Sequence, residues 1–371
     1  MKFHARPKGI SPSAVLSSFI VLLCIATKEA HKLYFFLVFS ESVPLQPWYT
    51  TLWAGLTALF APLTGYFLDR YHPKTVLLTT MLLSVISVGC LELGYFLIAV
   101  ICNGIFANVT VAGRALYSYM HARRPGVRVF AETYAVQALP WIAICIDAQI
   151  YSQYVKKIAV ILSIVAIVAI VYLLEVTFSK ARIHKERIGR KIRLIRGERL
   201  CVLVAFFFSE SAYQLIQYHV DSSFQEKVVS DAFSLLGMGV FLGAILHWVI
   251  HFNARLKVLF MAYVVSLGVF VSGYISYAYF PSSALDNFSY YLPFAIAGGF
   301  GLPLVFALCT KKMEMQARGF IVGSLESVMA IADFLGPLLV WGDIFTFPTM
   351  IVLLGVSTLC TYRPRFYREV V

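Results

Sequence analysis

Charge is what this chain has least of: Asp, Glu, Lys and Arg make up 13% of its 371 residues, where a soluble globular domain carries about a quarter. Catalytic signatures are missing too. No phosphate-cradling glycine loop, metal-ligand spacing or nucleophile elbow occurs, so an enzyme active site, a metal centre and a cofactor site are not expected. The seven cysteines, Cys24, Cys90, Cys102, Cys145, Cys201, Cys309 and Cys360, contain no C-x-x-C pair and fall in or at the ends of apolar runs. They indicate neither a metal cluster nor a disulfide framework. What is present is 60% hydrophobic with a mean hydropathy of +0.78, the composition of a chain that crosses a bilayer repeatedly.

Crossing roughly 30 Å of hydrocarbon takes about 20 residues. Twelve runs meet that need, centred near Leu23, Leu59, Leu83, Phe106, Ile142, Val165, Leu203, Val240, Val269, Val305, Val328 and Gly355. With the N-terminus inside, alternate loops collect most of the 31 Lys and Arg, whereas the outside loops hold only Lys156, Lys157 and Lys227. A wrong span count would scramble that alternation, so it argues jointly for twelve spans and for both termini on the cytoplasmic side. The net charge of +12 is then a topogenic signal rather than a nucleic-acid-binding surface. The opening MKFHARPKG and the apolar stretch Ala14–Ala26 imitate a secretory signal. The apolar run resumes at Leu33, however, so the charged knot TKEAHK interrupts one spanning helix.

The basic stretch from Lys180 to Arg199 splits the spans six and six. This predicts an all-α integral membrane protein of twelve transmembrane helices in two six-helix bundles, residues 1–178 and 200–371, joined by a linker at 179–199. The linker either lies on anionic headgroups as an amphipathic helix or is solvated. Asn287-Phe-Ser is an N-glycosylation triplet in an outside loop, relevant in a eukaryotic source.

Between spans two and three, Gly65-Tyr-Phe-Leu-Asp69-Arg70 resembles the G-x-x-x-D-R loop signature of major-facilitator transporters. The resemblance implies that Asp69 and Arg70 bridge helix ends in one state of a gate. Four further blocks are similar to the reduced folate carrier family, which includes folate and thiamine transporters. They are Asn108 to Tyr119 in span four, Ser211 to Val220 in span seven, Asp231 to Gly237 in span eight, and Gly319 to Gly323 in span eleven. That resemblance implies a vitamin as cargo, with Arg114 at the place where folate carriers have Arg and thiamine carriers have Glu. It is incomplete: span ten has no cation, and Asp333 stands where a folate carrier is expected to have Lys.

Helical spacing singles out the same region without the family. Asn103, Thr110, Arg114, Tyr117 and Ser118 form one stripe of span four. Arg114 either pairs with an anionic carboxylate or snorkels to the interface. Lys28, Glu29, His31 and Lys32 sit mid-span, where each lone charge costs about 2.5–3.5 kcal/mol. Glu29 there either pairs with Lys32 or contacts cargo. Glu210, Gln214 and Gln217 share a face of span seven, with Asp221 a turn beyond and Tyr213 beside them, a stripe suited to a wet cavity. Glu210 and Asp333 are the carboxylates suited to proton coupling. By the resemblance as much as by position, Tyr34, Tyr117, Tyr213 and Tyr218 suit a planar heteroaromatic cargo, while Gly239-x-x-x-Gly243 and Gly319-x-x-x-Gly323 suit close helix packing.

The expectation is a secondary transporter of a plasma membrane or bacterial inner membrane, working by alternating access around spans one, four, seven, ten and eleven. A folate-type organic anion is the favoured cargo, and thiamine or another zwitterionic or cationic metabolite the alternative. Substrate contacts are expected from Arg114, Glu29, Tyr117, Tyr213, Glu210, Gln214 and Asp333, and gating from Asp69 and Arg70. The partners are the bilayer, the cargo and a coupled ion or exchanged anion, with no cofactor and no nucleic acid.

Overall fold

The computed structural model describes residues 12–41, 46–105, 108–122, 124, 126–143, 148–174, 198–223, 226–250, 255–279, 291–311, 315–341 and 346–362. The basic stretch 180–197, the Asn287 triplet, Cys145 and the side chains of Gln217, Tyr218, His219 and Asp221 lie outside them. The described residues form α1 (Pro12–Glu41), α2 (Gln46–Arg70), α3 (Pro73–Glu92), α4 (Phe96–Ile105), α5 (Val109–Met120), α6 (Gly126–Ala143) and α7 (Ala148–Tyr172). After the basic stretch come α8 (Glu198–Ser223), α9 (Glu226–Val249), α10 (Leu256–Tyr279), α11 (Tyr291–Thr310), α12 (Met315–Trp341) and α13 (Thr346–Tyr362).

These thirteen helices make twelve spans, because α4 and α5 divide the single apolar segment Phe96–Met120. Asn108, at φ −79 and ψ 54, is not helical, and its amide Nδ2 donates to the carbonyls of Gly104 and Ile105 at 3.5 and 3.3 Å. A side chain thereby satisfies carbonyls that α4 leaves open at its end. Pro73 starts α3, where a missing N–H costs nothing. Gly94, at φ +79, makes the turn out of α3 into α4, a conformation glycine adopts without a Cβ clash.

Burial is inverted relative to a soluble protein. In α7 the small residues Ala159, Ser163 and Ala166 are buried against the bundle, whereas Ile161, Ile164 and Val168 are about half exposed. An apolar stripe of that extent facing outward is stable against lipid rather than water.

The halves meet along two principal seams, α2 against α12 and α6 against α9, and a shift of six spans maps one seam onto the other. Small residues make the first seam close. A Cβ on Gly65 would collide with the backbone of Gly319, one on Gly319 with Gly65 and Asp69, and one on Gly323 with Ala61. Within the second half, Gly239 and Gly243 let α9 lie directly on Leu292, Ala295 and Ile296 of α11. Both glycine pairs thus serve close packing.

Candidate functional site

A cavity of about 130 Å³ opens between the halves. From the first half it is lined by Glu29 and Lys32 of α1 and by Tyr134, Gln137 and Trp141 of α6. The second half contributes Glu210, Tyr213 and Gln214 of α8, Tyr263 of α10, Gly298 of α11 and Met329 of α12. Spans one, five, seven, eight, nine, ten and eleven line the cavity, whereas span four with Arg114 and Tyr117, and Asp333 of span eleven, are not among the lining residues.

The charged knot of α1 divides by helical spacing, since i and i+3 share a face. Glu29 and Lys32 face the cavity; Lys28 and His31 point back into the first half. Lys28 donates to Asn103 Oδ1 of α4. The His31 nitrogens lie 2.7 Å from Ser84 Oγ of α3 and 2.7 Å from Ser163 Oγ of α7. Ser163 Oγ also lies 2.5 Å from the Ala159 carbonyl, which takes its proton and makes Nε2 the donor ring nitrogen. Those contacts tie α1 to α3, α4 and α7, away from the cavity lining.

Glu29 is held by two neutral donors one turn apart on α6: Gln137 Nε2 donates to Oε1 at 2.9 Å and Trp141 Nε1 to Oε2 at 3.3 Å. Glu210 is buried with one longer bond, from Gln214 Nε2 at 3.4 Å. Lys32 Nζ lies 4.0 Å from Asp333 Oδ2 across the halves and 5.0 Å from the Trp53 ring centroid.

Arg114 has no exposed surface and forms an ion pair with Glu326 of α12. Its guanidinium lies 4.0 Å from the ring centroid of Tyr134 and 5.3 Å from that of Phe306. Tyr134, a cavity residue, is thus interposed between Arg114 and the open volume. Tyr117 also lies away from the cavity: its hydroxyl donates to Glu132, which accepts from Arg124 at 3.1 Å, and its ring meets His121 at 4.5 Å. Burial, and secondarily the Arg124 charge, push the His121 imidazole down to about 4.

At the end carrying the basic loops, α2 and α5 are tied to α12. Asp69 accepts from the backbone N–H of Gly319 at 2.9 Å and of Phe320 at 3.1 Å, and from the Tyr119 hydroxyl. A carboxylate near the start of α12 also meets the positive end of the helix dipole. Arg318 donates to the Ser118 carbonyl at 3.2 Å, and Arg70 stacks on Tyr66 at 4.6 Å rather than reaching α12.

Sequence reading did not single out Gln137, Trp141 or Tyr134, nor Glu326 as the partner of Arg114. Gln137 and Trp141 carried a signal, being polar-capable residues four apart in an apolar span, like Glu210 and Gln214.

The Major Facilitator Superfamily family model matches residues 13–337. The chain belongs to that superfamily: it is an integral membrane protein and a secondary transporter, not an enzyme, whose partners are the bilayer and a small-molecule cargo. In fold it is similar to the human organic anion transporter MFSD10 (TETRAN), with a TM-score of 0.73, 16% identity and coverage of 95% of this chain and 100% of that one. It is also similar to a bacterial homologue of the iron transporter ferroportin in an outward-facing state, with a TM-score of 0.70, 12% identity and coverage of 95% and 98%. No curated protein matches the chain significantly.

Proposed function

We propose that this transporter carries a small amphipathic metabolite with a planar aromatic part and a cationic or zwitterionic charge, thiamine-like rather than folate-like. The carrying observation is the placement of charge. Arg114, the cation that the folate-carrier resemblance offers to an anionic cargo, has no exposed surface and is neutralised by Glu326. The cavity instead presents two carboxylates, Glu29 and Glu210, against one ammonium, Lys32, which already has Asp333 as a neighbour. Placing a dicarboxylate there would bring like charges together at low dielectric. A cation gains from both.

Glu29 is the anchor, because it lines the cavity and two neutral donors on α6 fix its orientation. Glu210 exchanges the coupling proton: a buried carboxylate with one long hydrogen bond is cheaper neutral in an empty cavity and cheaper ionised beside a cationic cargo. Tyr213 and Gln214 lie on the same helix face and orient the cargo. The rings of Tyr134, Trp141 and Tyr213 supply faces for an aromatic cation.

Alternating access follows from the two seams. With Asp69 and Tyr119 holding α12 and the glycine zipper closed, the basic end is sealed. Rocking residues 1–178 against residues 200–371, with 179–199 as connector, opens it. The cation-rich end faces the cytoplasm, as do both termini, in a plasma membrane or bacterial inner membrane.

Uptake of labelled thiamine and labelled folate into proteoliposomes, each competed by excess unlabelled compound, tests this reading. Saturable thiamine uptake that Glu29→Gln abolishes supports it. Saturable folate uptake that survives Glu29→Gln and is lost in Arg114→Ala contradicts it.

A further inference from the structure

We infer that Lys32 is a tethered resident cation at Asp333, and that a positive group on the cargo replaces it there. The inference rests on the cationic reading of the cavity and adds the element that sets apparent affinity and links binding to movement of the halves.

Four observations support it. The contact between Lys32 Nζ and Asp333 Oδ2 is 4.0 Å, longer than a hydrogen bond. Asp333 Oδ1 is buried with no hydrogen-bond partner among the described residues. A carboxylate with one loose contact and one unfilled oxygen has unused acceptor capacity, here directly behind a cavity-lining lysine. Third, the Lys32 side chain is 31% exposed and lines the cavity, with the less exposed Asp333 behind it, so a cargo cation reaches Asp333 by taking the place of the Lys32 ammonium. Fourth, the ring of Trp53, 5.0 Å from Nζ, gives the displaced ammonium an alternative face within its own half.

The contrast with Arg114 shows what a permanent pair looks like here. Arg114 and Glu326 are in close contact, with side-chain exposures of 0% and 11%. A guanidinium clamps a carboxylate in a fixed geometry, whereas an ammonium on a four-carbon stem is a mobile point charge. Lys32 lies on α1 and Asp333 on α12, so replacing Lys32 with cargo also removes an ion link between the halves. Cargo arrival then loosens the two bundles at the site itself.

Occupancy by the resident cation lowers apparent affinity by the fraction of time that Asp333 is free. If Lys32 holds Asp333 about nine-tenths of the time, its removal tightens a cationic ligand roughly tenfold.

The test is equilibrium binding of labelled tryptamine to the purified full-length protein, with indole-3-propionate as an anion of nearly the same shape. Lys32→Met is expected to tighten tryptamine roughly tenfold, Lys32→Arg to return it toward wild type, and Asp333→Asn to weaken it. The double variant is expected to lose the gain of Lys32→Met. If Lys32→Met fails to insert, Asp333→Asn and Lys32→Arg still decide the matter. Wild-type binding with no tightening in Lys32→Met, or with none of the loss in Asp333→Asn, overturns the tethered-cation inference and leaves the cationic cavity standing. Binding of indole-3-propionate in place of tryptamine by every variant overturns both.

Discussion

Two ion pairs tie α12 to the first half, two turns apart on one face, and they are built in opposite ways. Arg114–Glu326 is sealed beneath Tyr134 and Phe306 in close contact, although Arg114 Nε and Nη2 have no hydrogen-bond partner among the described residues. In the other pair Lys32 lines the cavity, 4.0 Å from Asp333, which has a carboxylate oxygen unfilled. The lesson is that charge at membrane depth does not by itself mark a binding site. Both pairs leave buried polar atoms unfilled; what separates them is access, since Arg114 has no exposed surface and Lys32 lines the cavity.

The sharpest way to break this contrast is to remove one partner from each pair. Arg114→Ala leaves Glu326 buried and unpaired, and thermal unfolding in detergent should show a loss of about 3–5 kcal/mol. Arg114→Met with Glu326→Leu removes both charges and should recover most of it. Next comes Glu29→Gln, which removes one charge-assisted contact to cargo. Thiamine binding should fall roughly ten- to a hundredfold, from about 1.5–3 kcal/mol, with the melting temperature nearly unchanged. Gly65→Val wedges the α2–α12 seam and should cost about 1–3 kcal/mol. It should also expose Ser118→Cys to an impermeant maleimide added at the basic end. Asp333→Asn, by contrast with Arg114→Ala, should alter stability by less than about 1 kcal/mol, read in the same melts. The smallest effect concerns His121, whose folded value near 4 lies below the ordinary 6.5. The unfolded chain takes up that proton first, so the contribution is complete above about pH 6.5 and is lost as pH falls toward 4. His121→Asn should flatten that part of the stability profile.

Much of this was legible in the sequence because bilayer physics leaves few choices. Twelve apolar runs admit helices and little else, and the clustering of Lys and Arg in alternate loops set their pairing into spans. The Gly65–Arg70 signature drew attention to the end of α2, and its Asp69 reaches the backbone of α12. Helical spacing also placed Glu210, Tyr213 and Gln214 on one cavity face. Three features were not legible, two because they depend on contacts between residues far apart in the chain and one because hydropathy does not register it. Spacing gives the stripe on which Arg114 lies but not that Glu326, more than two hundred residues away, turns toward it. It gives the pairing of Glu29 and Lys32 on one face of α1 but not that Gln137 and Trp141 hold Glu29 while Lys32 reaches Asp333. The division of span four at Asn108 left no mark in hydropathy, since Phe96–Met120 reads as one apolar segment.

The most direct test compares binding of labelled thiamine to Glu29→Gln and to Arg114→Met/Glu326→Leu, each verified as folded and monodisperse. If the cavity carboxylates recognise cargo and the Arg114 pair is structural, the double variant binds like wild type and Glu29→Gln does not. Retained binding in Glu29→Gln with loss in the double variant would contradict the account and return the ligand site to Arg114.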